Sequence, residues 1–429
     1  MLTNRSTTRS AISERTSSPL ISQLMAAALG NPDLISLAAG FVDQQSLPAE
    51  ATARAMEAIL SDPVESRRAL QYGTTIGDHR LRHEIVRLLE RNEGRPEGSF
   101  EAILPRTLVT TGSQQLLYLL CEVLVEPGDI VIVESPTYFV FLGVLESRGA
   151  RAIGVPIDDG GIDLGALEAT LEAIEARGEL AKVKLVYSIT EHSNPSGLSL
   201  APERRPKLLE IVKRFSKQRR IYLLEDAAYR GLNYSEPEPN SVWSMDDEQS
   251  TVILARTFSK TFSPGVKTGF SVVPEELVGP LLDLKGNHDF GSSNLNQMLL
   301  AKVLASGDYE RQIAALLPVY KRKRDAMLSA LETHFEGAEG VSWTTPKGGL
   351  FVWFTAPEGL DLGPNGPVVS RCLDRGVIYV PGNFALASEP KPPETNHARL
   401  CFGVPCEADL EEGVRRLAAV LADCMVGAA

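Results

Sequence analysis

The sequence predicts an α/β protein: a mainly parallel central sheet in a large domain, followed by a smaller α+β domain. Three observations lead there. Short apolar runs alternate with amphipathic stretches through the middle of the chain, the pattern of strands joined by helices that cover both faces of a parallel sheet. From about Gln312 the pattern changes to a charged helical run, short apolar runs and loops rich in Gly, Pro and Asn. The composition is that of a globular protein, 43% hydrophobic and 23% charged over 429 residues.

The elements follow in order. Thr107–Thr110 (TLVT) reads as a strand; Gly112 follows it, and Leu116, Leu117, Leu120, Val123 and Leu124 then recur at helical spacing across Ser113–Val125. Pro127-Gly128-Asp129 is a turn into the strand Ile130–Val133. Val183–Ile189, Ile221–Leu224 and Val252–Ala255 are further buried-strand candidates, and the charged, amphipathic Glu203–Lys217 reads as a surface helix. In the C-terminal part, Tyr320–Thr333 and Glu407–Met425 are helical and Gly349–Phe354 and Val377–Val380 are strand-like. Asp361–Pro367 and Ala387–Asn396 read as loops.

Lys and Arg total 43 against 55 Asp and Glu, a net charge of −12, which opposes binding to a phosphate backbone. No apolar run approaches the ~20 residues of a membrane span. The start is rich in Arg, Ser and Thr and lacks the apolar core of a secretory signal; it reads as a mobile arm, with a transit peptide as the alternative. The five cysteines (Cys121, Cys372, Cys401, Cys406, Cys424) form no CxxC pair, so buried, inert thiols in a reducing compartment are expected. With six histidines and no HExxH, no metal site is expected.

In an open parallel sheet, ligands bind beyond the carboxyl ends of the strands. Four segments follow the predicted strands: Thr111-Gly112-Ser113-Gln114, Asn194-Pro195-Ser196-Gly197, Glu225-Asp226-Ala227-Ala228-Tyr229 and Thr257-Phe258-Ser259-Lys260. Ser113 opens a helix, where free N–H groups suit a phosphate or simply take a cap. Asp226 ends a buried strand and needs a partner, either a structural cation or a cationic ring nitrogen. Lys260, ringed by polar groups at the sheet edge, is either a solvated amine or a nucleophile toward a carbonyl.

Together these segments resemble the fold-type I pyridoxal-phosphate aminotransferases of class I/II, and within them the 2-aminoadipate and kynurenine aminotransferase subgroup. Ser263-Pro264-Gly265 followed by basic Lys267 belongs to the same pattern. So do Ile35–Pro48, Ala69–Gly77, Glu134–Tyr138, Asn294–Gln297, Pro346–Trp353 and Arg399–Gly403, in family order over almost the whole chain.

The resemblance implies pyridoxal 5′-phosphate as cofactor and an L-amino acid and a 2-oxo acid as substrates, converted by a ping-pong mechanism. It implies an arm and N-terminal segment over 1–49 that packs with the small domain, a large cofactor-binding domain over 50–310 and a small domain over 311–429. Lys260 would hold the cofactor aldehyde and shuttle a proton; Asp226 would keep the pyridine nitrogen protonated. Asn194 and Tyr229 would reach the ring's 3′ oxygen, and Tyr138 would stack on its face. Ser113, Gln114, Thr257, Ser259 and Lys267 would cradle the phosphate. Arg399 would grip the substrate α-carboxylate as a bidentate fork, with Gly40 and Asn194 beside it. Tyr72, and Ser292 after it, would reach the phosphate of a neighbouring subunit, which implies a homodimer with shared active sites. A cytoplasmic enzyme without nucleic-acid or membrane partners is expected.

Three departures from the pattern stand out. Lys267 occupies a position where arginine is usual. Thr190-Glu191-His192-Ser193 stands where proline and glutamine are more common. Leu20-Ile21-Ser22-Gln23-Leu24 carries no arginine, which points to a neutral aliphatic or aromatic substrate. The same scaffold supports lyase, cyclase and oxidase chemistry, and Glu191-His192 is the reason to weigh those. Related domains also serve as sensors behind a winged-helix DNA-binding domain; the N-terminal stretch and the acidic charge oppose that reading.

Overall fold

The computed structural model describes residues 8–17, 33–235 and 237–426. Leu20–Leu24, on which the substrate expectation rests, lies outside them, as does most of the N-terminal arm.

An eight-stranded sheet forms the centre. Its order is Thr107–Thr110, Gly269–Val272, Val252–Thr257, Tyr222–Asp226, Val183–Ile189, Ile130–Ser135, Arg151–Asp158, Gly161–Ile162. The strands from Val252–Thr257 to Arg151–Asp158 pair in parallel. Every residue of Val252–Thr257 and Tyr222–Asp226 is buried, which is why their sequences show no apolar–polar alternation. Ile130 and Ile132 enter the apolar cluster on one face, Val131 and Val133 that on the other.

Three strands of this sheet escape the periodicity, the two-residue Gly161–Ile162 among them. Arg151–Asp158 contains Gly154 and Pro156, which break its apolar run. Gly269–Val272 is four residues long and runs antiparallel between Thr107–Thr110 and Val252–Thr257, so the sheet is mixed at this edge.

A four-stranded antiparallel sheet, in the order Ser342–Trp343, Phe351–Thr355, His397–Cys401, Val380–Pro381, packs with helices Asp308–Phe335 and Glu407–Val426 around Leu331, Val352, Leu400 and Leu417. Helix Asp308–Phe335 is much longer than the sequence pattern implied, because it continues through Pro318, where a sequence reading stops. Ile35–Ser36 pairs in parallel with Val377–Ile378 and ties the N-terminal segment to this unit.

The helix expected over Glu203–Lys217 spans Arg205–Phe215, and its first residue is fully buried rather than on the surface. Of the cysteines, four are buried as expected but Cys406 is exposed, its thiol donating to Asp409 at 3.1 Å. Among the described residues no helix is long and apolar enough to cross a membrane.

Candidate active site

The mixed edge of the sheet builds one end of the site. Because Gly269–Val272 runs antiparallel, its first residue lies where its neighbours end: Gly269 pairs with both Thr110 and Thr257. A β-carbon on Gly269 would sit 2.7 Å from the backbone of Gly112 and Ser113. Only glycine therefore lets the N-terminus of helix Gly112–Leu124 close onto the sheet. Thr257 Oγ1 donates to Ser259 Oγ at 2.9 Å and accepts from Ser259 N at 3.2 Å. Helix amides, Ser113, Thr257 and Ser259 thus share one rim, a setting for an anion.

One strand further on, Asp226 pairs in register with Ala255 on one side and Ile189 on the other. It is buried and accepts from Tyr187 Oη at 2.7 Å (Oδ2) and from Ala228 N at 3.1 Å (Oδ1). Burial pushes its carboxyl up to about 6 against those two bonds. The Lys260 amine donates to Gly40 O at 2.8 Å and lies 5.8 Å from the centre of the Tyr229 ring. Burial brings it down to about 8, with the Arg399 and Lys267 charges acting in the same direction. Burial raises the Tyr229 phenol well above its usual range and the Tyr138 phenol to about 12, so both remain hydroxyl donors.

Arg399 lies on the small sheet but reaches this edge. Its Nη1 donates to Asn194 Oδ1 at 3.0 Å and its Nη2 to Ala38 O at 2.6 Å. The guanidinium is 4.5 Å from the Phe351 ring centre and 5.3 Å from that of Phe139. Its Nε is buried without a partner among the described residues. A buried N–H left over in this way calls for an acceptor that a carboxylate would supply.

Four further expected residues lie toward the margin of this cluster. Tyr72 is 81% exposed and edge-on to Phe290 at 5.7 Å. The Gln114 side chain lines a separate cavity of about 790 Å³ with Tyr118 and Phe384, its Oε1 unpartnered. Lys267 is exposed, in left-handed backbone (φ 47°) ahead of Gly269. Ser292 bonds within its own chain, 3.1 Å from Thr111 Oγ1 and accepting from Lys285 at 3.2 Å.

Glu191 and His192 are each engaged by groups other than the expected cofactor residues. Glu191 is bound by Arg205 at 2.9 Å and Arg230 at 3.0 Å; burial works to raise it, but the two guanidinium groups hold it below the usual carboxylate range. His192, its pKa lowered to about 4 by burial, packs under the Pro346–Trp353 turn: a β-carbon on Gly348 would lie 2.4 Å from its ring.

Sequence reasoning missed Tyr187, Glu134 and Phe351. A signal existed for the first: a phenol inside an otherwise apolar strand needs a partner. Glu134 accepts from Ser188 Oγ at 2.6 Å and Ile189 N at 3.0 Å, bracing the strand that leads to Asn194.

The donor set has an anion rim at one end, a buried carboxylate at the other and a lowered amine between. That order fits pyridoxal 5′-phosphate, with its phosphate, ring nitrogen and aldehyde.

Comparisons with known proteins agree. The sequence model of the family "Aminotransferase class I and II" matches residues 32–417. The aromatic-amino-acid aminotransferase 1 of Thermococcus litoralis is 33% identical over 395 residues, 92% of this chain and 89% of that one. The 2-aminoadipate transaminase of Thermus thermophilus is 33% identical over 392 residues, covering 91% and 90%. The solved Pyrococcus horikoshii kynurenine aminotransferase, in complex with PMP, superposes with a TM-score of 0.88 at 31% identity, covering 97% of each chain.

Proposed function

This chain belongs to the class I and II aminotransferases and moves an amino group from an amino acid to a 2-oxo acid with pyridoxal 5′-phosphate, and we propose that Lys260, Asp226 and Arg399 carry that reaction. One observation supports the assignment above the rest. The Lys260 amine, lowered toward neutrality, shares the backbone of Ala38–Gly40 with the half-satisfied fork of Arg399.

When bound, the cofactor supplies an electron sink for the substrate carbon that loses its proton. The protein does the rest. Lys260 Nζ would hold the cofactor through its aldehyde and, once released as a free amine, would carry the proton that leaves the substrate α-carbon. Asp226 keeps a positive charge on the ring nitrogen. Asn194 and the Tyr229 hydroxyl would hold the ring oxygen, and Tyr138 would supply an aromatic surface for the ring. Ser113, Thr257, Ser259 and the backbone amide of Gln114, at the start of its helix, would hold the phosphate, and Lys267 would reach in from the surface to give charge but not arginine's planar fork. Arg399 orients the α-carboxylate, with Gly40 beside it, and the two half-reactions alternate in ping-pong fashion.

The substrate side chain is neutral, aliphatic or aromatic. Leu20–Leu24 offers no cation to an acidic one, and a relative is named for aromatic amino acids. The burial of Glu191 in an arginine network speaks against a part in elimination, cyclisation or oxidation. A donor panel tests this reading: neutral amino acids should bleach the cofactor's visible band at least about tenfold faster than acidic ones, with 2-oxoglutarate or pyruvate restoring it. Absence of any reversible bleaching would sink transamination; faster acidic donors would sink the substrate class.

The enzyme works as a homodimer in the cytoplasm. Leu70 (71% exposed), Tyr72 and Phe290 (62%) form an apolar patch suited to a second copy, with Tyr72 reaching the partner's phosphate. Tyr72→Ala should weaken cofactor binding about tenfold, the loss of one charge-assisted hydrogen bond. Cofactor titration beside sedimentation separates that effect from loss of the dimer.

A further inference from the structure

We propose that Tyr187 is a positioning residue for the reaction: its hydroxyl fixes the Asp226 carboxylate and favours the charged form that the cofactor ring nitrogen requires. The proposal rests on the reading of Asp226 given above.

The geometry is that of a dedicated contact. Tyr187 is fully buried on the strand next to that of Asp226, with Val133 and Leu224 as its register partners. Its ring packs 4.4 Å from that of Phe141 in an apolar cluster. From there its Oη donates to Asp226 Oδ2 at 2.7 Å, while Ala228 N occupies Oδ1 at 3.1 Å. Each oxygen is thereby anchored by one donor, and lone pairs remain for a third group. The carboxylate cannot rotate without breaking both bonds.

The groups that act on Asp226 come from several elements. Tyr187 stands on the strand on one side; Glu134, two strands away, Tyr138 and Tyr229 are near; and Glu191 acts from the loop before Asn194. Glu134 and Glu191 bring no positive charge. Burial raises the Asp226 carboxyl, and the Tyr187 and Ala228 donors are what oppose it. Tyr187 itself is raised well above its usual range, so it stays a donor throughout the working pH range. A phenol donating to a carboxylate forms a bond about twice as strong as a neutral one. The sign follows: removing it raises the Asp226 pKa, so the ring partner is lost at a higher pH.

The test compares holoenzymes carrying Tyr187→Phe, Asp226→Asn and both. Tyr187→Phe keeps the ring and its packing. It should shift the acid limb of kcat/KM upward by about one pH unit. It should also weaken cofactor binding, measured by equilibrium dialysis, up to about tenfold at pH 6 and much less at pH 8. The double variant should match Asp226→Asn alone, since Tyr187 acts through that carboxylate. If Tyr187→Phe lowers melting temperature but leaves the pH profile and the pH dependence of binding unmoved, while Asp226→Asn releases the cofactor, Tyr187 is core packing and the proposal is overturned. If Asp226→Asn changes neither binding nor spectrum, the assignment of Asp226 itself has failed.

Discussion

Lys260→Ala will bind the cofactor without its characteristic visible band, and turnover will fall by at least about four orders of magnitude, because one side chain supplies both the covalent anchor and the proton carrier. A steady-state assay beside an absorbance scan checks both halves. Persistent activity would place the chemistry elsewhere. The lowered amine adds a pH signature. With a pKa of about 8, the neutral, nucleophilic form of Lys260 grows as pH rises through that value. Uptake of pyridoxal phosphate by the cofactor-free protein should therefore accelerate from pH 6 to about 8.5 and then level off. An uptake rate that is flat across that range would mean that the amine is not the group reacting.

Arg399→Ala is the second large effect. It removes a fork that makes two charge-assisted bonds, each worth about 1.5–3 kcal/mol, so kcat/KM should drop by about 10²- to 10⁴-fold. It also leaves Asn194 Oδ1 and Ala38 O without their donor. Arg399→Lys should recover only part of the loss, because an ammonium cannot make both bonds in one plane. Donor titrations read the result as a rise in KM together with a fall in kcat/KM. If amines lacking a carboxylate suffer equally, Arg399 serves the fold and not the substrate.

Strand ends carried most of the site's legibility. Asp226, Asn194 and Lys260 each follow an apolar run, and a parallel sheet gathers such positions at one edge. What stayed hidden depends on partners distant along the chain. The strand Gly269–Val272 has no signature of its own; it exists because Thr107–Thr110 and Val252–Thr257 leave a slot between them. The helix expected over Glu203–Lys217 looked solvent-facing because of its charges, yet Arg205 is buried against Glu191. Nothing local to Glu191 announces Arg230, 39 positions further on. Tyr72 was legible only through family resemblance, because its own chain leaves it largely exposed.

The arginine network around Glu191 also bears on how this sequence can drift. Glu191 touches Arg205 and Arg230 at once, and Arg230 reaches on to Glu93 at 3.1 Å. Exchanging Glu191 alone for glutamine would take away the carboxylate that Arg205 and Arg230 share, at a cost of about 3–5 kcal/mol. A neutral residue at position 191 is thus tolerable only once Arg205 or Arg230 has itself changed. Substitutions here should therefore be accepted as a set of three rather than one at a time.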